Sequence, residues 1–138
     1  MTYFTSDQHF GHYNIIRLCG RPFKTQEEMD EILLSKWNAK VKDNDTVFIL
    51  GDLFFRAAKV EPILKALKGR KHLIVGNHDS SWMTKVKAAD YFESVQTLKE
   101  VNVDGRQLTL CHYPMLSYPY ARNGYMVYGH IHNNVRDD

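Results

Sequence analysis

The distribution of hydrophobic and polar positions along the chain predicts strands that alternate with helices. Short apolar runs at residues 3–6, 46–50 and 73–75 have the length of buried strands. Between and after them, apolar residues recur every three or four positions, which is the period of an amphipathic helix. This alternation favours a mostly parallel sheet with right-handed crossovers.

The two longer helices are marked by end signals as well as by periodicity. Thr25 and Glu28 form a capping box, in which a hydroxyl and a carboxylate satisfy backbone N–H groups at the start of the first helix. Pro62 is tolerable in the first turn of the second helix, and Gly69 suits its end. A shorter third helix is predicted around residues 82–89. We interpret two apolar stripes as core, namely Met29, Ile32, Leu33, Trp37 and Val41 in the first helix, and Val60, Ile63, Leu64 and Leu67 in the second.

The last third of the sequence changes from helices to extended runs. Residues 95–103 and 106–111 are joined by Asp104-Gly105, a strong signal for a type I′ hairpin turn. A loop rich in proline and tyrosine, residues 114–124, leads to a final strand at residues 125–128. Antiparallel strands that join an α/β core predict two packed sheets with helices outside.

Length, charge and cysteine content exclude several classes of protein. The 138 residues suffice for one domain, predicted to span residues 1–138. The net charge of +2 is too small to indicate nucleic acid or a membrane surface by itself. No run approaches the roughly 20 apolar residues of a membrane-spanning helix. The two cysteines lack metal-type spacing and the opening residues lack the features of a signal peptide, so we expect a cytoplasmic protein.

The densest basic run lies at the end of the second predicted helix. Cations at this position favour the negative end of the helix dipole. We therefore interpret the run as a solvated helix terminus, with a phosphate-binding patch as the alternative. Its members are Lys65, Lys68, Arg70 and Lys71.

Side chains that can bind metal ions directly follow five of the apolar runs. Because ligands of layered α/β proteins gather outside the carboxyl ends of strands, the five endings predict one shared site. Oxygen and imidazole donors are typical ligands of divalent metals. The residues at the successive endings are Asp7 and His9; Asp52; Asn77, His78 and Asp79; His112; and His130 and His132.

The number of these donors predicts two metal ions. Seven donors exceed the three or four protein ligands of a single zinc site, and they fit two ions if one carboxylate bridges. Two divalent ions with two carboxylates and one hydroxide carry about +1, which attracts an anion such as phosphate. The seven donors are Asp7, His9, Asp52, Asn77, His112, His130 and His132.

Five short segments that contain these donors resemble the motifs of the calcineurin-like metallophosphoesterases, and they occur in the same order along the chain. The matching segments are Asp7-Gln8-His9, Gly51-Asp52, Gly76-Asn77-His78-Asp79, His112 and Gly129-His130-Ile131-His132. The opening segment, residues 7–12 followed by Asn14-Ile15-Ile16, is similar to a small single-domain bacterial and phage branch of the family. The resemblance implies a four-layer α/β/β/α sandwich, with two mixed β-sheets flanked by helices, and this agrees with the predicted order of elements.

The resemblance also implies a role for each donor. The first ion would be held by Asp7, His9 and His132. The second would be held by Asn77, His112 and His130, and Asp52 would bridge the two ions. His78 would contact the phosphate and stabilise or protonate the leaving oxygen, which is a general-acid role.

The implied activity is hydrolysis of phosphomonoesters or phosphodiesters by a hydroxide that bridges two divalent ions. Mixed imidazole and carboxylate ligands suit manganese, and they also accept Fe, Zn, Ni or Co. The expected substrate is a small phosphoester or a nucleotide. A nuclease acting on DNA or RNA and a metal-binding scaffold without turnover are the alternatives. The low net charge counts against long nucleic acids, and the intact ligand set counts against a scaffold.

Two positions depart from the family pattern. Many members have a second Asp three residues after the bridging one, where it orients the catalytic histidine, whereas this chain has Phe55. His78 therefore needs another orienting group or is less strongly polarised. The chain also ends six residues after His132, where further strand is expected.

Basic side chains near the predicted site are candidates for substrate contact. His12, Arg17 and Arg122 are assigned to substrate binding, together with Asn77 and His78. Arg21 is a further candidate phosphate clamp, because a guanidinium binds phosphate through two parallel hydrogen bonds. The alternatives are ordinary surface positions for the three arginines and local bonding within the loop for His12.

Three groups of residues have both a functional and a structural interpretation. Asp79 would either orient His78 or cap the helix that follows. Tyr113, Tyr118 and Tyr120 would either stack on a base or pack within their loop. His72, at a strand start, is interpreted as a structural histidine.

Overall fold

The first sheet of the fold carries three of the five predicted strand endings at one edge. The structure is a computed structural model that describes residues 1–11, 15–16, 19–54, 60–118 and 124–130. The sheet contains four parallel strands in sequence order, β1 (Thr2–Thr5), β2 (Thr46–Ile49), β3 (Arg70–Ile74) and β4 (Ser94–Gln96). Thr5 pairs with Ile49, and Ile49 pairs with Leu73. The turns that follow β1, β2 and β3 therefore leave the sheet side by side.

Within the described ranges, three helices pack on one face of this sheet, namely α1 (Gln26–Lys40), α2 (Val60–Ala66) and α3 (Asp79–Met83). The cap predicted for α1 forms, since Thr25 Oγ1 accepts a hydrogen bond from the backbone N–H of Glu28 at 3.1 Å. The Glu28 carboxylate accepts from the N–H of Lys24, one residue before the cap. The buried cluster on this face includes Trp37, Val47, Ile49, Leu64, Leu73 and Trp82.

The second sheet has the order β5-β6-β7, with β5 (Leu98–Val103), β6 (Arg106–Cys111) and β7 (Tyr125–Val127). The β5 and β6 strands are antiparallel and β7 runs parallel to β6. Asp104 and Gly105 have φ angles of 52° and 80°, as the central residues of a type I′ turn require. The predicted hairpin is therefore confirmed.

A second apolar cluster joins the two sheets. Phe48, Leu50 and Ile74 from the first sheet pack with Leu108 and Leu110 from the second. The mixed α/β class, with two sheets flanked by helices, is confirmed. None of the helices within the described ranges is long and apolar enough to cross a membrane.

The extended run predicted at residues 95–103 is two strands in different sheets. The chain bends at Thr97, so that β4 completes the first sheet and β5 begins the second. Val95 packs with the helix-facing cluster, whereas Val101 and Val103 pack between the sheets. The change of sheet is set by these tertiary contacts, which a continuous extended pattern does not reveal.

The third helix and the basic run also differ from their predictions. The α3 helix ends at Met83, and a separate 3₁₀ turn occupies Ala88–Asp90. Lys71 is buried rather than solvated, and its ammonium donates to the carbonyls of Leu67 at 2.8 Å and Gly69 at 3.3 Å. Burial lowers the pKa of Lys71. This cation satisfies carbonyls just beyond the end of α2, where helices otherwise leave acceptors unpaired.

Candidate metal centre

Backbone hydrogen bonds hold the turns after β1 and β2 against each other. The N–H of Asp7 donates to Gly51 O at 3.0 Å, and the N–H of His9 donates to Asp52 O at 3.0 Å. On the second sheet, the N–H of Gly129 donates to His112 O at 3.0 Å, which continues the pairing of β6 with β7. These contacts bring the predicted donors of the two sheets to one end of the molecule.

Most of these donors lie on left-handed backbone. Five non-glycine residues in the described part of the chain have positive φ, and four of them are Asp7 (57°), His9 (54°), Asp52 (55°) and His130 (72°). This conformation costs roughly 1–2 kcal/mol for a residue with a Cβ atom. Such strain concentrates at functional sites, where the surrounding structure holds it in place.

The first cluster of donors contains Asp7, His9 and Asp52, whose ligand atoms all lie within 4.8 Å of one another. His9 Nε2 is 3.8 Å from Asp7 Oδ1 and 3.5 Å from Asp52 Oδ2. The Asp7 carboxylate also accepts the N–H of His130, at 3.0 Å to Oδ2. A Cβ atom at Gly129 would lie 2.5 Å from that same oxygen, so glycine is required for this approach.

The second cluster contains Asp52, His112 and His130, again with ligand atoms within 4.8 Å. His112 Nε2 is 3.2 Å from Asp52 Oδ2 and 3.1 Å from Asn77 Oδ1. Asp52 belongs to both clusters. Its carboxylate therefore has the position that a bridging ligand between two ions would need.

The hydrogen bond at His112 Nδ1 leaves Nε2 facing the oxygens of Asp52 and Asn77. Nδ1 lies 2.6 Å from Leu50 O, and because a carbonyl only accepts, Nδ1 carries the proton. In the neutral ring, Nε2 then presents a lone pair to the oxygens of Asp52 and Asn77. That lone pair and the two oxygens form a donor set of the kind that binds a divalent metal ion, whereas a protonated Nε2 donates to Asp52.

The pKa values of Asp52, His9 and His112 reflect the contacts among these side chains. Burial alone would raise the pKa of Asp52, but hydrogen bonds from His112, His9 and the N–H of His78 hold it well below its usual range. Burial lowers the pKa of His9 and His112, yet the hydrogen bonds to Asp52 prevail and raise both. The carboxylates thus favour positive charge at the positions of the two clusters.

His78 lies beside the first cluster without belonging to it. Its backbone N–H donates to Asp52 Oδ1 at 2.9 Å, and its ring meets His9 edge-on at 5.5 Å between centroids. The ring is half-buried. This position leaves His78 next to any anion bound at the cluster.

Asp79 has a role that neither sequence interpretation gave it. The buried carboxylate accepts the N–H groups of Asp52 at 2.8 Å, Leu53 at 3.0 Å and Gly76 at 2.7 Å, and Trp82 Nε1 at 2.8 Å. The helix that follows has His78 at its cap position, without a side-chain capping bond. The capping prediction was therefore wrong, because backbone N–H groups outside the helix and the Trp82 indole use the carboxylate. Asp79 joins the turn that carries Asp52 to the turn that carries Asn77.

Arg21 also differs from its prediction as a phosphate clamp. Its guanidinium donates to the backbone carbonyls of Asp7 and Gln8 and to Met29 Sδ. Burial lowers the pKa of this group. Arg21 supports the left-handed turn of Asp7 instead of facing a ligand, and its spacing from Asp7 gave no signal of this.

Other predicted residues lie outside the described part of the chain. They are His12, Arg17, Phe55, Tyr120, Arg122 and His132, and their assignments stay predictions. Tyr113 is described, and its ring meets the rings of His130 at 4.8 Å and His112 at 5.0 Å.

Comparisons with known proteins identify the family of this chain. The model of the Calcineurin-like phosphoesterase superfamily domain matches residues 4–138. An uncharacterized protein of Methanocaldococcus jannaschii is 37% identical over 139 residues, covering 99% of this chain and 72% of that protein. The Gene 66 protein of Mycobacterium phage L5 is 39% identical over an alignment of 84 positions that covers 56% of this chain and 39% of the phage protein.

A solved structure extends the likeness to the fold. A protein of unknown function from Aquifex aeolicus superposes on this chain with a TM-score of 0.66 and is 29% identical to it. The superposition covers 88% of this chain and 67% of the Aquifex aeolicus chain. The family match includes all five strand endings that carry the candidate ligands. This chain belongs to the calcineurin-like phosphoesterase superfamily.

Proposed function

We propose that this protein hydrolyses phosphoesters with two divalent metal ions that share Asp52. The observation that carries the proposal is the membership of Asp52 in both donor clusters. Asp7, His9 and predicted His132 would hold one ion, and Asn77, His112 and His130 the other. When bound, such ions lower the pKa of coordinated water and neutralise charge on the phosphate. We expect manganese to support activity, because the donor set mixes imidazole nitrogens with carboxylate and amide oxygens.

The second part of the proposal assigns proton transfer to His78. Two contacts support this assignment: the backbone N–H of His78 donates a hydrogen bond to Asp52, and the His78 ring contacts the ring of His9. The imidazole would bind a phosphate oxygen and give a proton to the leaving oxygen. General acid catalysis of this kind contributes about 10²–10⁴-fold to rate.

The test compares three variants, Asp52→Asn, His78→Ala and His72→Gln. Metal content and hydrolysis of p-nitrophenyl phosphate and bis(p-nitrophenyl) phosphate would be measured with Mn²⁺, Fe²⁺, Zn²⁺, Ni²⁺ and Co²⁺. We expect two ions per wild-type chain and fewer in Asp52→Asn. His78→Ala should keep both ions and lose about 10²–10⁴-fold in kcat. His72→Gln is the matched control, because His72 bonds Ser94 at 2.6 Å within the sheet.

Each result separates a different part of the proposal. A wild-type protein that hydrolyses neither substrate with any of these ions contradicts the catalytic function, and retained metal would then favour a scaffold. Full activity in His78→Ala contradicts the general-acid assignment alone. A steep loss of single-stranded nucleic-acid binding with added salt would support a nuclease.

A further inference from the structure

Exposed apolar side chains concentrate in the segment that carries His112 and His130. Among the described residues, five of the seven large exposed hydrophobic side chains lie between positions 113 and 128; they are Tyr113, Met115, Leu116, Tyr125 and Tyr128. An exposed aromatic side chain beside a polar site supplies contact area for the apolar part of a ligand. Tyr113 is the member that adjoins the candidate metal centre.

The backbone places Tyr113 against two candidate ligands of the same ion. Because Gly129 bonds to His112 O, His130 lies beside Tyr113. The tyrosine ring meets both imidazoles edge-to-face, with interplanar angles of 66° for His130 and 78° for His112. The residue is nevertheless 41% exposed. It therefore contacts the cluster on one side and solvent on another.

We propose that Tyr113 is a specificity-determining residue that packs against an aromatic group carried by the substrate beside its phosphate. This inference rests on the proposed phosphoesterase function. A phosphate held by Asp52, His112 and His130 has Tyr113 as its immediate neighbour, and a tyrosine ring stacks favourably on any base or aryl face. The net charge of +2 suits a small aromatic phosphoester better than a long polyanion.

Binding of two non-hydrolysable anions tests the inference without turnover. Dissociation constants of phenylphosphonate and methylphosphonate would be measured by calorimetry on the manganese-loaded protein. We expect the wild type to prefer phenylphosphonate by roughly 3–10-fold, the range of a single aromatic pair. Tyr113→Ala should bring this ratio close to one while methylphosphonate affinity changes by less than about twofold. Tyr113→Phe should keep the preference.

Tyr125→Ala is the matched control. It removes a tyrosine that is more exposed than Tyr113, at 56%, from a strand position paired with Leu108, four residues before His112. This variant should bind both phosphonates as the wild type does. Metal content of Tyr113→Ala, measured in parallel, should stay at the wild-type level.

Several outcomes would overturn the inference. Equal wild-type affinities would do so, as would an equal loss for both phosphonates in Tyr113→Ala, which indicates support of the imidazoles alone. Wild-type protein that binds neither anion overturns the inference and contradicts phosphate binding at the centre. Discrimination of phosphonates without any hydrolysis supports Tyr113 and contradicts only the catalytic proposal. Tighter binding of a single-stranded oligonucleotide than of a mononucleotide would overturn the small-substrate assignment.

Discussion

Asp79 is a single carboxylate that organises two ligand-bearing turns. It is fully buried, and burial raises its pKa, although four hydrogen bonds oppose the shift. Both oxygens are used, since Oδ2 accepts from Asp52 and Gly76 and Oδ1 accepts from Leu53 and Trp82. A side chain that must accept at both oxygens has no neutral equivalent of the same shape.

Asp79→Asn should destabilise the protein and weaken metal binding. The amide NH₂ would replace one oxygen and face donors, leaving buried N–H groups unsatisfied, at a cost of about 3 kcal/mol. Metal affinity should fall roughly 10–100-fold, as it does when groups that orient ligands are lost. Urea unfolding of the metal-free protein and a Mn²⁺ titration measure the two effects.

Trp82→Phe is the control for this substitution, because it removes one of the four donors and leaves the carboxylate. It should cost less stability and leave metal affinity near the wild-type value. An Asp79→Asn variant with wild-type stability would contradict the role assigned to the carboxylate.

The difference between Asp79 and the predicted ligands shows what can be read at single positions. The candidate ligands follow apolar runs directly, so their sequence neighbours alone place them at the carboxyl ends of strands. Asp79 sits in the same motif, but the N–H of Asp52 is 27 positions away and that of Leu53 is 26. Partners at that separation leave no periodic signal. Arg21 was misassigned for the same reason, since its partners are carbonyls and carry no residue-specific pattern.

At the scale of the element, His72 links three strands of the first sheet. Its ring stacks on Phe48 of β2 at 4.8 Å, and its Nδ1 contacts Ser94 Oγ of β4 at 2.6 Å. Burial, followed by the charge of Lys99, lowers the pKa of His72, while Glu93 partly opposes this. The folded state therefore favours the neutral imidazole. The structural interpretation of this histidine agrees with these contacts.

Stability contributed by His72 should decrease as the pH falls. Because the folded-state pKa is below the unfolded value of about 6.5, the unfolded chain binds the proton more readily, and stability is lost as pH falls through that value. The free energy of unfolding of wild type minus that of His72→Gln should be smaller at pH 5.5 than at pH 7.5. Taking this difference cancels contributions from the other histidines. A difference that grows at low pH would contradict the assignment.

Element types were predictable here and element boundaries were less so. The parallel strands, α1 and the Asp104-Gly105 turn follow from local periodicity and turn chemistry. The break at Thr97 does not, because extended residues on both sides share one alternating pattern and differ only in which cluster they join.

For the whole molecule, the candidate centre connects the two sheets. Asp7, His9 and Asp52 follow strands of the first sheet, whereas His112 and His130 follow strands of the second. The apolar cluster already joins the two sheets, and metal ions bound at the candidate centre would join them a second time, at the end where the ligands lie. The sequence predicted this convergence, because ligands gather at the carboxyl ends of strands. It did not predict the left-handed backbone at four donors, since Asp and His adopt ordinary backbone conformations far more often than the left-handed one.

Removing metal should lower the thermal stability of the whole domain. An ion present at 100 times its dissociation constant adds about 2.7 kcal/mol, which raises Tm by roughly 5–10 °C for a domain of this size. Thermal unfolding in a chelator and across a Mn²⁺ titration should show this shift. The Tm of Asp52→Asn should shift much less with Mn²⁺. A wild-type Tm that is independent of Mn²⁺ concentration would contradict metal binding at the candidate centre.

The left-handed backbone at the candidate ligands affects which substitutions selection would favour there. At His130, with φ at 72°, glycine would relieve the backbone at once, whereas histidine persists only while its imidazole is of use. A laboratory selection for heat resistance in the presence of a chelator would thus favour glycine at such a position. The same selection with metal present would retain histidine. The residue found at this position in the two sets of selected variants would therefore show whether metal binding maintains the histidine.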